Sequence, residues 1–320
     1  MQKILITGAS GFIGANICRF FYQLGYEVFA LTGPNNHNWR IDDLQINKKF
    51  IDITSINDVQ KYISEVQPNI IVNCAAYGAY SNQDNIDKIY KVNVGGLKNL
   101  LESSIDLKSL NCFIQLGSSS EYGTNCSGPN EFDNLMPDSH YAISKISANY
   151  LINFYSNKYK IKAFNLRLYS VYGPYEEISR LIPKLLIEVY NKKLPPLVNK
   201  NISRDFIYID DVCRAILELS NIASQLTGGM AFNIGSNTCT TLENLINVVI
   251  DNFDINVKPN WGSMENRVWD HSYWFSNSNL AKQVFGWEAK IQLLEGLKKT
   301  YQWMIDNDDI VEKAKQYTVL

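Results

Sequence analysis

A chain of 320 residues, 46% of them hydrophobic, has material for one large domain or two lobes around a sizeable core. Thirty basic against 32 acidic side chains leave a formal charge of −2, so there is no basic excess for nucleic acid or an anionic membrane, and any anionic ligand must be met by local groups. No apolar run approaches the roughly 20 residues that cross a bilayer, and the opening MQKILITGAS has too short a hydrophobic run for a signal peptide, so a cytoplasmic protein is expected.

Short β-branched runs alternate with longer amphipathic stretches. In chain order they are the strand KILIT, a helix from Phe12 to Leu24, the strand EVFAL, a polar excursion, the strand IIVNC, a helix around Asp87 to Ser103, and the strand NCFIQL. A helix carrying SHYAISK runs on through Phe154, and the strand KAFNLRL follows. This rhythm predicts a parallel sheet with crossover helices. After Gly173-Pro174 the pattern becomes irregular, with LPPLVNK and RDFIYI interrupting helical segments, which predicts a second, smaller lobe. The first domain is therefore placed at residues 1–173, with returning segments at about 205–220 and 230–237, and the smaller lobe at 174–204 and 238–320. Six cysteines (Cys18, Cys74, Cys112, Cys126, Cys213, Cys239) fall mostly in apolar segments with no C-x-x-C pair, which suits reduced, buried thiols and not a metal site.

TGASGFIG sets Gly8, Gly11 and Gly14 after the first strand and at the mouth of the first helix, with Ser10, Phe12 and Ile13 between them. Glycines there permit a tight turn, close backbone approach to a pyrophosphate at the helix N-terminus, and close helix–sheet packing. The expected fold class is α/β: a Rossmann-type doubly wound parallel sheet with a smaller interleaved C-terminal α/β substrate lobe. A free adenosine 2′-hydroxyl usually meets a carboxylate at the end of strand two, yet Thr32 stands there, and Arg40 in the next loop suits a 2′-phosphate. NADP is therefore the expected cofactor, with NAD as the alternative, and NADPH should bind more tightly than NADH. Farther on, Tyr141 and Lys145 share a helix face at i, i+4, a spacing that serves packing as well as chemistry.

With this glycine turn, the Tyr-x-x-x-Lys pair and GSSSEYG at the end of the fifth strand, the chain resembles the extended short-chain dehydrogenase/reductases, in their nucleotide-sugar branch. That branch includes UDP-galactose 4-epimerase, dTDP-glucose 4,6-dehydratase and CDP-abequose-type 4-ketoreductases. Asp52-Ile53, CAAY at 74–77, Asn93, RLYSVYGP, RDFIYIDDV, FNIGS and FGW extend the likeness over nearly the whole length. The resemblance implies that Tyr141 passes a proton, Lys145 tunes it and holds the nicotinamide ribose, and Ser118 orients the reacting sugar oxygen. It also implies adenine contacts at Asp52 and Ile53, and cofactor contacts at Ala75, Ala76, Tyr77 and Asn93. On the substrate side it implies phosphate contacts at Arg204 and Arg267, a nucleoside contact at Asp270, and Tyr172 facing the sugar. Arg204 has a second reading, as a domain-closing salt bridge to Asp210 or Asp211. Ser170 replaces the family's Asn, and FSNSNL lacks its usual Asp, so base identity does not carry over.

Relatives that remove water across C5 and C6 use an Asp-Glu pair beside the catalytic Ser/Thr. Here Ser119 and Ser120 hold those positions as substrate-binding residues, and Glu121, a candidate catalytic carboxylate, stands one place late. A 4-ketoreductase needs only Ser, Tyr, Lys and a dissociable NADPH, so reduction of a nucleotide-diphosphate 4-keto-6-deoxyhexose is the leading expectation. The alternatives are a 4-epimerase, a 4,6-dehydratase and a non-catalytic NADP-binding sensor. A homodimer is expected, because the helices around Asp87–Ser103 and Tyr141–Asn157 carry more apolar side chains than one sheet face can bury, and relatives pair them across a dimer axis.

Overall fold

The computed structural model describes residues 1–33, 37–80, 82–264 and 272–318. Its first half runs β1 (Lys3–Thr7), α1 (Phe12–Gln23), β2 (Glu27–Thr32), β3 (Asn47–Phe50), α2 (Ile56–Val66) and β4 (Ile70–Asn73). There follow α3 (Ile86–Tyr90), a π-helical turn at Lys91–Gly96, α4 (Leu97–Glu102), β5 (Cys112–Ser118), a 3₁₀ turn at Ser119–Tyr122, α5 (His140–Tyr159) and β6 (Ala163–Leu168). The remainder is β7 (Ser170–Tyr172), α6 (Leu181–Tyr190), β8 (Ser203–Arg204), β9 (Phe206–Tyr208), α7 (Ile209–Ile222), β10 (Ala231–Ile234), β11 (Thr240–Thr241), α8 (Leu242–Asn252), α9 (Asn279–Phe285), α10 (Leu293–Asp306) and α11 (Asp308–Thr318).

One seven-stranded sheet, in the order β10-β6-β5-β4-β1-β2-β3, is parallel at every pairing. Parallel strands need helical crossovers, so both faces are covered and the strands read as nearly unbroken apolar runs. In β1 the period-two alternation sends Ile4 and Ile6 into one core layer and Leu5 into the other, and all three are wholly buried. Each such side chain contributes about 1.5–3 kcal/mol. The sheet order reverses between β1 and β4, and the crevice beyond their carboxyl ends is where a doubly wound sheet takes its ligand.

Three details differ from the sequence pattern. The helix around Asp87–Ser103 is interrupted by the π-helical turn at Lys91–Gly96, a local widening often found at functional sites. RDFIYI breaks into β8 and β9 at Asp205, whose buried carboxylate accepts from the backbone N–H groups of Ser236, Asn237 and Ser276. The strand β3, NKKF, carries no apolar pattern and was not anticipated. It is a largely exposed edge strand, where lysines discourage further pairing.

Candidate active site

The turn after β1 needs its glycines for steric reasons. Gly8 has φ +62°, and a Cβ on it would lie 2.7 Å from the Ala75 backbone nitrogen, while a Cβ on Gly14 would collide with the Gly8 carbonyl. Gly11 donates its N–H to Gly8 O at 3.0 Å, closing the turn below the N-terminus of α1. Phe12 and Ile13 open that helix, so their N–H groups have no intrahelical partner and face the crevice as an anion site. Ser10 is buried beside them. Across the crevice, Ala75 N donates to Thr7 Oγ1 at 3.3 Å, with Ala76 exposed after it. Asp52 is exposed and accepts from Thr54 N. The Ile53 carbonyl is held by Asn99 Nδ2 at 3.0 Å, and the Ile53 side chain fills the space a Cβ on Gly96 would take.

At the adenosine edge, Thr32 is buried, and its hydroxyl has no partner among the described residues. Arg40 is tied into the protein. Its Nε donates to Tyr175 O at 2.8 Å, Nη1 to Ser10 O at 3.3 Å, and Nη2 meets Glu177 Oε2 at 3.4 Å. The guanidinium also lies 4.2 Å from the centre of the Trp39 ring. These contacts tie the guanidinium between the glycine turn and the loop after β7.

Tyr141 and Lys145 project from the first turns of α5, whose N-cap Ser139 accepts from Ala142 N. Tyr141 is half-buried, and Gly78 closes on its ring: a Cβ there would be 3.4 Å from Cδ2. Lys145 is buried, its Nζ donating to Leu116 O at 2.9 Å and lying 5.5 Å from the Tyr141 ring centre. Asn93, in the π-helical turn, locks the neighbourhood. It exchanges hydrogen bonds with Tyr77 N and O at 2.8 and 2.9 Å and donates to Ser144 Oγ at 2.9 Å. Ser118 ends β5 and caps the turn that follows, its Oγ accepting from Ser120 N (3.1 Å) and Ser120 Oγ (2.8 Å).

Two expected site residues are corrected. Glu121 has no exposed surface and pairs with Arg167 at 2.8 Å, because standing one place late turns its side chain from the cleft into the sheet. Tyr172 is core. It is 1% exposed, donates to Leu293 O at 3.2 Å, and packs edge-on against Phe206 and Tyr208. Arg204 lies 5.4 Å from the Trp274 ring centre, while Asp210 and Asp211, its alternative partners, pair with Lys299 and Arg214. Arg267 and Asp270 lie outside the described residues. Ser119 is buried and accepts from Trp274 Nε1 at 3.1 Å, a link to the substrate lobe that the sequence did not signal.

Also unanticipated is Glu176, whose Oε2 is buried with no partner among the described residues. Burial pushes its carboxyl up to about 8, against the pull of Arg180 and a hydrogen bond from the Gly173 backbone. Burial likewise pushes the thiols of Cys18, Cys74, Cys112 and Cys213 up, which makes them poor nucleophiles.

Residues 4–235 match the family described as NAD dependent epimerase/dehydratase. The chain is 27% identical over 335 residues to UDP-glucuronate 4-epimerase 4 of Arabidopsis thaliana, covering 94% of this chain and 75% of that one. It is 25% identical over 328 residues to the UDP-glucuronate 4-epimerase of Thermodesulfobacterium geofontis, covering 98% and 100%. The UDP-glucose 4-epimerase of Thermotoga maritima, solved with UDP-glucose, superposes with a TM-score of 0.85 at 25% identity, covering 95% of this chain and 99% of that one.

Proposed function

The chain belongs to the NAD-dependent epimerase/dehydratase family, and from that premise we propose that it is a 4-epimerase that retains NAD and inverts C4 of a UDP-linked hexose or hexuronate. The observation that carries this reading is the engagement of Arg40. With its guanidinium engaged by Tyr175, Ser10 and Glu177, Arg40 is not set aside for a 2′-phosphate at the adenosine edge. That disfavours the NADPH-dependent ketoreductase expected from the sequence. Dehydration is disfavoured too, since the one carboxylate of the turn Ser118–Tyr122 is buried in an ion pair.

The residues present fit the dinucleotide. A Cβ at Gly8 or Gly14 would strike the Ala75 or Gly8 backbone, so glycine lets the turn close tightly and bring the N-terminal N–H groups of α1 to where a pyrophosphate would lie, and the Thr32 hydroxyl lacks a partner among the described residues where the adenosine would lie. The turn 8–14 would hold the pyrophosphate, Asp52 and Ile53 the adenine, and Lys145 the nicotinamide ribose. When bound, the nicotinamide accepts and returns hydride at C4 of the sugar. Tyr141 takes the proton of the C4 hydroxyl and gives it back, and one helical turn away the Lys145 ammonium lies 5.5 Å from its ring centre. One N–H of that ammonium goes to Leu116 O, so two remain for ribose and Tyr141. Arg204, whose guanidinium lies 5.4 Å from the Trp274 ring centre, would meet the diphosphate in this reading.

The test is to identify the nucleotide released from the denatured protein by mass spectrometry, then to incubate the native protein with UDP-glucose and with UDP-glucuronate and separate the C4 epimers. NAD and a mixture of epimers are expected. Stoichiometric oxidation of added NADPH by a 4-keto sugar nucleotide, with no epimer formed, restores the ketoreductase.

A further inference from the structure

The buried pair Glu121–Arg167 is not used by the mechanism above, yet it touches the backbone of the residue that orients the sugar oxygen. Glu121 Oε1 accepts the Ser118 N–H at 3.1 Å. Its other oxygen is anchored by Arg167 Nε at 2.8 Å, and Asn165 Nδ2 reaches both carboxylate oxygens at 3.2 and 3.3 Å. Arg167 is anchored in turn by Tyr122 Oη (2.8 Å) and Glu131 O (3.1 Å). Asn165 Nδ2 also donates to Asn149 Oδ1 at 3.1 Å, and Asn149 lies one turn beyond Lys145 on α5. One network thus spans the Ser118 turn, β6 and the helix that carries Tyr141 and Lys145. The chain makes room for it: a Cβ on Gly117 would fall 2.5 Å from both Glu121 Oε1 and Asn165 Oδ1.

Ser118 Oγ accepts the Ser120 N–H and lies 2.8 Å from Ser120 Oγ, so with Ser120 as the donor of that pair its own proton is free to go to the sugar oxygen. The direction of that proton depends on how the Ser118 backbone is held. We propose that Glu121 and Arg167 are positioning residues: their ion pair sets the angle at which the Ser118 hydroxyl meets the sugar oxygen, relative to Tyr141 on α5. The proposal rests on the proposed function and on the role that the family resemblance implies for Ser118, orienting the sugar oxygen.

A double-mutant cycle tests it, with kcat, KM and bound NAD measured for Glu121→Ala, Ser118→Ala and the combination. Misplacing a reacting group by about 1 Å costs up to roughly 100-fold in rate, so Glu121→Ala is expected to lower kcat by about 10- to 100-fold, with KM and NAD content nearly unchanged. In the Ser118→Ala background the same change should cost less than about twofold, because residues acting as a unit are not additive. An equal loss in both backgrounds overturns the proposal, since Glu121 would then act elsewhere. An unchanged kcat in Glu121→Ala with a slow Ser118→Ala also overturns it while leaving the role of Ser118 intact. A fully active Ser118→Ala removes both. Where Glu121→Ala does not fold, Glu121→Gln carries the same cycle: it keeps the size and the acceptor for Ser118 N–H, loses the charge facing Arg167, and should cost kcat about 3- to 10-fold in the Ser118 background alone.

Discussion

Replacing Arg40 by Ala separates a structural strut from a phosphate reader. The side chain is 12% exposed and makes two hydrogen bonds to carbonyls and one contact with Glu177, itself 24% exposed. A charge-assisted hydrogen bond contributes about 1.5–3 kcal/mol net, but only the bond to Tyr175 O at 2.8 Å is short; the Ser10 and Glu177 contacts at 3.3 and 3.4 Å are long, so about 2–3 kcal/mol in total is the expected loss. At about 2 °C per kcal/mol for a chain of this size, Tm should fall by about 5 °C. Because Arg40 braces the Ser10 carbonyl in the glycine turn, NAD and NADP affinities should fall together, by about tenfold or 1.4 kcal/mol. Calorimetric unfolding, with titration of both nucleotides into protein stripped of cofactor, measures all three. A variant with unchanged Tm and NAD affinity that has lost NADP binding alone would refute the strut and reinstate the 2′-phosphate contact.

Tyr141→Phe should lower turnover by about 10³-fold while bound NAD stays at wild-type stoichiometry, since only the proton-transferring hydroxyl is lost; an initial-rate loss under about tenfold removes Tyr141 from the chemistry. Glu176, raised to about 8 in the folded chain from an ordinary 4.5, holds a proton there that the unfolded chain has already released between those values. Stability should therefore fall as pH rises through that window and level off above it, whereas Glu176→Gln should match wild type near pH 5 and exceed its Tm at pH 8.5 by about 2 °C or more; equal Tm values at both pH settings would show that Glu176 ionises normally. Ile143, Tyr150 and Phe154 form an exposed stripe on α5, at 40, 66 and 50% exposure, with Ile86 of α3 at 46%. Such a face predicts a homodimer, and a monomeric mass by light scattering at micromolar concentration would contradict it.

What was legible in the sequence is what depends on local chemistry. The alternation of KILIT and EVFAL with amphipathic runs leads to the parallel sheet, and TGASGFIG leads to the crevice, because a buried parallel strand and a phosphate-binding turn each impose composition on a few consecutive residues. Tyr141 and Lys145 are legible for the same reason, being one helical turn apart. The misses are long-range. Tyr172 looks like a site residue in RLYSVYGP, but its hydroxyl is taken by Leu293 and its ring by Phe206 and Tyr208, partners 121, 34 and 36 positions along the chain. Trp274 touches Ser119 across 155 positions, and no periodicity carries that distance. Arg40 is a subtler case: an arginine beside the expected adenosine suggests a phosphate, and only the fold shows the two carbonyls and Glu177 that it meets.

The stretch SSSEY shows how one position in a tight turn separates chemistries. In the 3₁₀ turn Ser119–Tyr122, Ser119 and Glu121 face opposite environments: Ser119 meets Trp274 of the substrate lobe, and Glu121 meets Arg167 on β6 inside the sheet. A carboxylate at 119 or 120 would stand on the cleft side, where it could serve as the acid or base that dehydration requires. At 121 the same carboxylate is withdrawn from solvent, held by an arginine, and returned to the site only through the Ser118 N–H. Under the proposed function, its charge then serves geometry and not proton transfer, and Tyr141 is the group assigned to move the proton at C4. A single proton carrier that works in both directions suffices for an epimerase, whose hydride leaves and returns at the same carbon.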